Sequence, residues 1–362
     1  MREREYTLIT GGAGFIGSNL ADALMSRGEQ VVILDSLCRE GVESNVEWLV
    51  GKHGPRLRVE VGNVADSARV TPLVRGARRV YHLAAQVAVT TSLEDPRMDL
   101  QSNLIGTFNV LEAARSLSCP PAILFTSTNK VYGGLDGVPI ERVGDVYEYA
   151  DGRGGITEAA PLDFRSPYGC SKGAADQYVR DYARIFEIPT VVFRLSCIYG
   201  TRQFGTEDQG WVAHFARAVL ADSPITIYGD GCQVRDILWV GDLVDAMQRS
   251  MERAEKRPGD VFNIGGGVQN AVSVRQVIDR LIEITGRRVP VEMASWRPGD
   301  QRIYITDTAK ARRELSWRPT TSWDRGLERL IGWLESADLS TPVLPLLGVK
   351  RSRQLESAAA AL

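Results

Sequence analysis

Along the first half of this chain, two spacings of apolar residues take turns. Short, largely apolar runs have the length of buried strands: Thr7-Leu8-Ile9-Thr10, Val31-Val32-Ile33-Leu34, Leu57 to Val61, Arg79 to Leu83, Ala122 to Ser127 and Thr190 to Leu195. Between them, apolar residues recur every three or four positions from Ser18 to about Arg27, Asp66 to Arg75, Asp95 to Leu117 and Ala174 to Glu187, as amphipathic helices require. Strand and helix in strict alternation predict a parallel sheet covered on both faces. Past Leu195 the segments become short and mixed. A helix opens at Asp208-Gln209-Gly210-Trp211, Ile225 to Tyr228 precedes Gly229-Asp230-Gly231, and a strand begins at Arg235-Asp236. Phe262-Asn263-Ile264-Gly265 reads as a strand returning to the sheet, and helices follow at Val274 to Thr285 and Trp323 to Glu335.

The turn after the first strand gives the sheet a ligand. Gly11-Gly12-Ala13-Gly14-Phe15-Ile16-Gly17 lies between a strand and a helix N-terminus, where glycines permit a tight turn and free N–H groups with the helix dipole favour a pyrophosphate. The second strand ends in Asp35-Ser36, and a carboxylate there accepts the two hydroxyls of an adenosine ribose and repels a 2′-phosphate, so NAD is expected rather than NADP. Arg39 either pairs a phosphate or covers the adenine face. The expected fold is α/β: a Rossmann-type doubly wound parallel sheet over 1–195, with returning segments near 232–266. A smaller mixed α/β substrate lobe is expected over 196–336, and 337–362 is expected to be a tail with little structure of its own. Residues 134–165 lose their periodicity, which predicts either a flap beside the ligand or a disordered insertion.

Candidate chemistry gathers at the strand ends. Leu83-Ala84-Ala85-Gln86 offers small residues that admit a cofactor, and Thr126-Ser127-Thr128-Asn129-Lys130 offers hydroxyls that orient an alcohol. Tyr168 and Lys172 stand four apart on one helix face. An ammonium near a phenol favours the phenolate, and a bound cationic nicotinamide favours it further, so a lowered Tyr168 pKa and a proton acceptor are expected. In the second lobe, Arg235 and Arg297 are candidates for a diphosphate clamp.

Composition narrows the class. Lys and Arg total 43 against 45 Asp and Glu, so there is no field for non-specific binding of nucleic acid or an anionic membrane. Five cysteines, at 38, 119, 170, 197 and 232, are scattered without a C-x-x-C pair, which fits reduced thiols in cytosol. The charged start and the lack of any spanning apolar stretch point to a soluble cytoplasmic protein. His occurs only at 53, 82 and 214, without ligand spacing, so no metal site is expected.

Taken together, Thr10 to Gly17, Asp35, His82-Leu83-Ala84-Ala85, Thr128 with Val131-Tyr132-Gly133, and Tyr168 with Lys172 resemble the extended short-chain dehydrogenase/reductase family, over residues 6 to about 336. The resemblance implies tightly held NAD, contacted also by Asn63 (where the family usually has Asp), Val64, Gln86 and Asn103, and a lobe that takes a nucleotide-diphosphate sugar. It implies catalysis by Thr128, Tyr168 and Lys172, with Tyr168 and Lys172 also contacting the cofactor and Lys172 binding the nicotinamide ribose, and a homodimer packed through the Asp95 and Tyr168 helices. Dehydratases of the family carry Asp-Glu after the catalytic Thr, whereas this chain has Asn129-Lys130, which leaves an epimerase. Ser127 to Gly133, Phe164 to Tyr178, and Arg202-Gln203-Phe204 with Asp208 to Val212 resemble the CDP-paratose 2-epimerase branch, long insertion included. That branch inverts C2: Tyr168 takes the hydroxyl proton, the cofactor takes and returns the C2 hydride, and a transient 2-keto sugar turns over between the two transfers. Gln86, Thr128, Asn129, Gln209, Trp211, Tyr228, Arg235 and Arg297 are the expected substrate contacts, with Gln209 at the diphosphate or ribose and Tyr228 on the base. The rivals are a UDP-sugar 4-epimerase, a net oxidoreductase, and a non-catalytic NAD-sensing protein.

Overall fold

A computed structural model of the chain describes residues 5–254, 256–297 and 300–337. In chain order the first strands are β1 (Tyr6–Thr10), β2 (Val31–Asp35), β3 (Leu57–Val61), β4 (Ala77–His82) and β5 (Ala122–Thr128), followed by β6 (Ile140–Val143) and β7 (Val146–Tyr149). After these come β8 (Thr190–Leu195), β9 (Cys197–Tyr199), β10 (Ile225–Tyr228) and β11 (Val234–Trp239). The last are β12 (Asp260–Ile264), β13 (Ala271–Ser273), β14 (Val291–Ala294) and β15 (Ile303–Tyr304).

Seven strands form one parallel sheet in the order β12-β8-β5-β4-β1-β2-β3. Successive side chains feed opposite layers. Leu8, Val32, Leu34, Val80, Ile123, Phe125 and Val192 enter one core, while Ile9, Val31, Ile33, Tyr81, Leu124, Val191 and Phe193 enter the other. Burial on both faces is why these runs are nearly continuous in apolar residues. The chain order reverses between β1 and β4, which opens a crevice at the strand C-termini.

The long pattern from Asp95 becomes the helices Pro96–Leu100 and Gly106–Arg115, joined by a π turn at Gln101–Ile105. The Tyr168 helix begins earlier than its apolar period, spanning Ser166–Phe186 with Pro167 in the first turn, so Tyr168 and Lys172 lie inside it. It is fixed to the sheet by Arg194 of β8, 2% exposed, whose guanidinium meets both oxygens of Asp176 at 2.9 and 3.0 Å and donates to the Tyr132 hydroxyl at 3.0 Å.

Of the stretch 232–266, the helix Val240–Ala254 and β12 pack with the large sheet, whereas β11 pairs with β9, β13 and β15 in the smaller lobe. β10 pairs with β14, and the helices Trp211–Leu220, Val274–Thr285 and Trp323–Ser336 enclose that lobe's own core. Of the expected tail, 338–362 lies outside the described residues.

The segment 134–165 departs from expectation: it contains the antiparallel hairpin β6–β7, stapled to the second lobe. The Tyr147 hydroxyl donates to Asp230 at 2.7 Å, the Tyr149 hydroxyl accepts from Ile305 N at 3.1 Å, and Ile156 bridges Thr306. Tyr147 and Tyr149 are each 7% exposed and flank the outward Glu148, a strand alternation too short to stand out among the surrounding Gly, Asp and Glu.

Candidate active site

The glycine turn is shaped by close backbone approach. Gly11 has φ 71° and a Cβ there would lie 2.7 Å from Ala84 N; one on Gly17 would lie 2.3 Å from the Gly11 carbonyl oxygen. Gly14 precedes the helix Phe15–Ser26 without a side-chain cap, so first-turn N–H groups stay open to an anion. Phe15 and Ile16 are half-buried and pack toward the cores. At the end of β2, the Asp35 oxygens accept from Ala13 N at 3.0 Å and Leu37 N at 2.9 Å, which leaves each oxygen a lone pair for a hydroxyl. Burial raises the Asp35 pKa, opposed chiefly by the backbone N–H groups of Leu37, Ala13 and Gly14 and less by the Arg39 guanidinium. Ser36 follows on the surface.

After β3, Asn63 is exposed and its Oδ1 accepts from Ala65 N at 2.9 Å. Val64 turns its side chain into the core, and its carbonyl accepts from Asn109 Nδ2 at 3.1 Å. After β4, Leu83 N and Ala84 N are held by the Thr10 carbonyl and hydroxyl at 3.0 and 3.2 Å, which fixes Leu83-Ala84-Ala85 against the glycine turn. Two expected contacts are occupied elsewhere. The Gln86 amide folds back on the backbone of Ala88, and Asn103 uses Oδ1 for Gln86 N at 2.9 Å and Nδ2 for Asp99 and Ser171 at 3.0 Å each. Asn103 is a brace behind the crevice, and the Gln86 side chain is engaged with its own turn.

β5 ends in the candidate constellation. The Thr128 hydroxyl accepts from Lys130 N at 3.2 Å, donates to Asn129 Oδ1 at 3.3 Å and is close enough to the Tyr168 phenol to stabilise its ionised form. Ser127 Oγ is buried without a partner, a group that a bound molecule would satisfy. Lys172, 3% exposed, donates to the Thr126 carbonyl and stands 4.3 Å from the centre of the Phe125 ring.

The electrostatics differ from the expectation of a lowered phenol pKa. Burial pushes Tyr168 up to about 12, with the Thr128 hydrogen bond pulling down and Asp99 pushing up. Burial also brings Lys172 down to about 7, against the pull of Asp176 and Asp99. A buried phenol without a cation against it keeps its proton. The phenolate therefore depends on what binds in front of Tyr168.

In the second lobe the expected clamp is already engaged. Arg235 meets Asp300 at 2.7 Å and the Gln301 carbonyl at 2.6 Å. Arg297 lies 3.9 Å over the Tyr228 ring and faces Glu207 and Asp208 at 3.5 and 3.4 Å, while the Tyr228 hydroxyl donates to Glu207. A diphosphate would have to share or displace these carboxylates, and one face of Tyr228 is covered. Gln209 bridges Thr206 through its backbone, and Trp211 packs its ring edge-on against Phe215 at 5.6 Å.

The sequence reading passed over Lys130 and Asp300 as site residues. Lys130 Nζ lies 3.5 Å from Asp300, so one carboxylate is shared by Lys130 and Arg235 beside Thr128. The signal was present in the Asn129-Lys130 pair itself, where a cation replaces the expected acid. Among the described residues no His/Cys/Asp/Glu group could hold a metal, and no helix is long and apolar enough to cross a membrane.

The family model described as GDP-mannose 4,6 dehydratase matches residues 8–330. A CDP-paratose 2-epimerase of Salmonella typhi is 39% identical over 341 residues, 91% of this chain and 99% of the relative. A dTDP-glucose 4,6-dehydratase of Xanthomonas campestris is 32% identical over 345 residues, 90% and 92% of the two chains. The crystal structure of a UDP-glucose 4-epimerase of Thermus thermophilus in complex with NAD superposes with a TM-score of 0.77 at 30% identity, covering 92% of this chain and 99% of that one.

Proposed function

The chain belongs to the extended short-chain dehydrogenase/reductase family of nucleotide-sugar epimerases and dehydratases, and from that premise we propose that it is an NAD-dependent isomerase inverting C2 of a CDP-hexose through a transient 2-keto sugar. The observation that carries this reading is the end of β5. Thr128 and Tyr168 present adjoining hydroxyls for an alcohol, and the next two side chains are an amide and an ammonium held by Asp300 instead of the acid and base an elimination requires.

The glycine turn, the uncapped helix N-terminus and Asp35 fit NAD, whose diphosphate and adenosine ribose they would hold. Bound there, NAD supplies reversible oxidation at the sugar carbon. Tyr168 takes the proton of the C2 hydroxyl, Thr128 orients that hydroxyl, and Lys172 provides positive charge from below. Arg235, Arg297 and Lys130 hold the diphosphate end while the keto sugar turns over, and Asn129 borders the sugar. Similarity to the Salmonella typhi 2-epimerase favours C2 and the CDP base; similarity to the 4-epimerase favours a second reading, inversion at C4 of a UDP-hexose. The protein incubated with CDP- and UDP-hexoses, with products assigned by proton NMR, should yield a C2 epimer from the CDP-sugar. A C4 epimer from UDP-hexoses alone would replace the first reading with the second, and steady NADH formation would replace both with a net oxidoreductase. We place the protein in the cytoplasm, which suits five scattered cysteines without a C-x-x-C pair.

We also propose that the protein is a homodimer. Leu100, Ile105 and Phe108 of one helical stretch and Tyr178, Ile185 and Phe186 of the Tyr168 helix form an exposed apolar face, Phe108 at 38% and Ile185 at 63%. The Phe108 and Tyr178 rings meet edge-on at 6.2 Å, so the two stretches are continuous. Phe108→Glu combined with Ile185→Glu is expected to halve the mass measured by light scattering. An unchanged dimer would place the interface elsewhere.

A further inference from the structure

Two segments distant in the chain meet at the glycine turn. Asn45, on the helix Val42–His53, is 0% exposed. Its Nδ2 donates to the Ala13 carbonyl at 3.0 Å and to the Arg202 carbonyl at 3.3 Å. With both amide hydrogens spent on carbonyls, the amide has one orientation, and its Oδ1 is buried without a partner among the described residues. A buried amide satisfied on one side only costs free energy that a leucine of similar size would avoid, so the two donated bonds are what the position supplies. Ala13 is thereby held from both ends, its carbonyl by Asn45 and its N–H by Asp35 Oδ2 at 3.0 Å.

Arg202 belongs to the segment that follows β9 in the smaller lobe, and further contacts fasten that segment to the helices beside the large sheet. Asn19 of the helix Phe15–Ser26 donates to the Thr201 carbonyl at 3.0 Å, and the Thr201 hydroxyl donates back to Asn19 Oδ1 at 3.4 Å. The Arg202 guanidinium lies 4.1 Å from the centre of the Trp48 ring and 5.9 Å from that of Trp333, on the last helix. Phe204 packs against Gly41, φ 82°, where a Cβ would come within 2.8 Å of its ring, and meets Trp333 at 6.2 Å. Arg202 itself has φ 67°, a left-handed backbone that a residue other than glycine keeps only where its surroundings require it. We infer that residues 201–204 are a latch by which the smaller lobe holds the cofactor turn closed, with Asn45 as a positioning residue that governs how long NAD stays bound. A cofactor oxidised and reduced within one turnover has to stay while the sugar leaves, and a hold that spans both lobes keeps it there. The inference rests on reading the glycine turn and Asp35 as the NAD site.

Full-length protein loaded with NAD and diluted into buffer without it, with released cofactor followed over time, tests the latch. Asn45→Leu is expected to release NAD about tenfold faster than wild type, the size of effect that losing a buried polar bridge produces. Phe204→Ala leaves Asn45 in place and opens the packing against Gly41, so release should quicken by about fivefold; Phe204→Leu refills that space and should return to within about twofold of wild type. At saturating NAD both Phe204 variants should turn over as wild type does, because the defect lies in holding the cofactor. A merely structural role would lower the melting temperature and leave release unchanged. If Asn45→Leu does not fold, the Phe204 pair decides. Release at the wild-type rate from either Asn45→Leu or Phe204→Ala overturns the inference. A wild-type protein that binds no NAD overturns the reading of the cofactor site and the latch with it, whereas one that holds NAD through this latch but inverts no nucleotide sugar overturns the proposed function alone.

Discussion

Tyr168→Phe is expected to cut turnover by about 10²–10⁴-fold while leaving cofactor in place, the range that loss of a positioned proton acceptor produces. The ring is 7% exposed and Thr128 acts on its hydroxyl, so the substitution removes one oxygen from a packed site without opening a cavity. Thr128 keeps its bond from Lys130 N, which holds the strand end in position. The glycine turn and Asp35, on β1 and β2, do not touch Tyr168, so the nicotinamide content of the purified protein should match that of wild type. Thr128→Ser should retain most activity by the same logic, since the hydroxyl is what meets the phenol. A Tyr168→Phe protein within about tenfold of wild type would remove Tyr168 from the chemistry, and Thr128 alone would then have to be reconsidered as base.

Arg194→Ala should destabilise the fold by about 3–5 kcal/mol, because it strands a buried carboxylate. Asp176 is 0% exposed and takes both of its ionic hydrogen bonds from this guanidinium. The loss spreads beyond the pair, since Arg194 also donates to the Tyr132 hydroxyl, which in turn donates to Asn263 Oδ1 of β12 at 2.7 Å. The network thus ties the Tyr168 helix, β8, the turn after Thr128 and β12 into one unit. The urea midpoint should fall sharply with little change in m-value. Arg194→Met combined with Asp176→Leu should recover much of the loss, as buried pairs replaced by apolar residues often do. A shift below about 1 kcal/mol for Arg194→Ala would mean that the interior solvates Asp176 by another route.

Much of this molecule was legible in its sequence because the physics there is local. Leu8 and Ile9 face opposite cores, so β1 had to be apolar throughout, and the glycines after it had to be glycines because Gly11 and Gly17 have backbone where a Cβ would go. Tyr168 and Lys172 declared themselves by helical spacing. What escaped depends on contacts distant in sequence. Nothing near Arg235 or Arg297 reveals that Asp300 and Glu207 already hold them, and nothing near Asp99 reveals Ser171. The hairpin β6–β7 was missed for a different reason: its strands are four residues each, and their burial is supplied by the second lobe. Spacing shows that Lys172 is near Tyr168 but neither that its ammonium is turned to the Thr126 carbonyl nor that burial raises the phenol pKa.

The central claim is that one sugar carbon, C2, is oxidised and re-reduced from its other face within a single site. A CDP-hexose carrying deuterium on C2, incubated with the protein in ordinary water, tests it directly. The expected product is the C2 epimer with the deuterium still on C2, and no NADH accumulates. Loss of the label to solvent, or a product inverted at C4 with C2 untouched, would contradict the account.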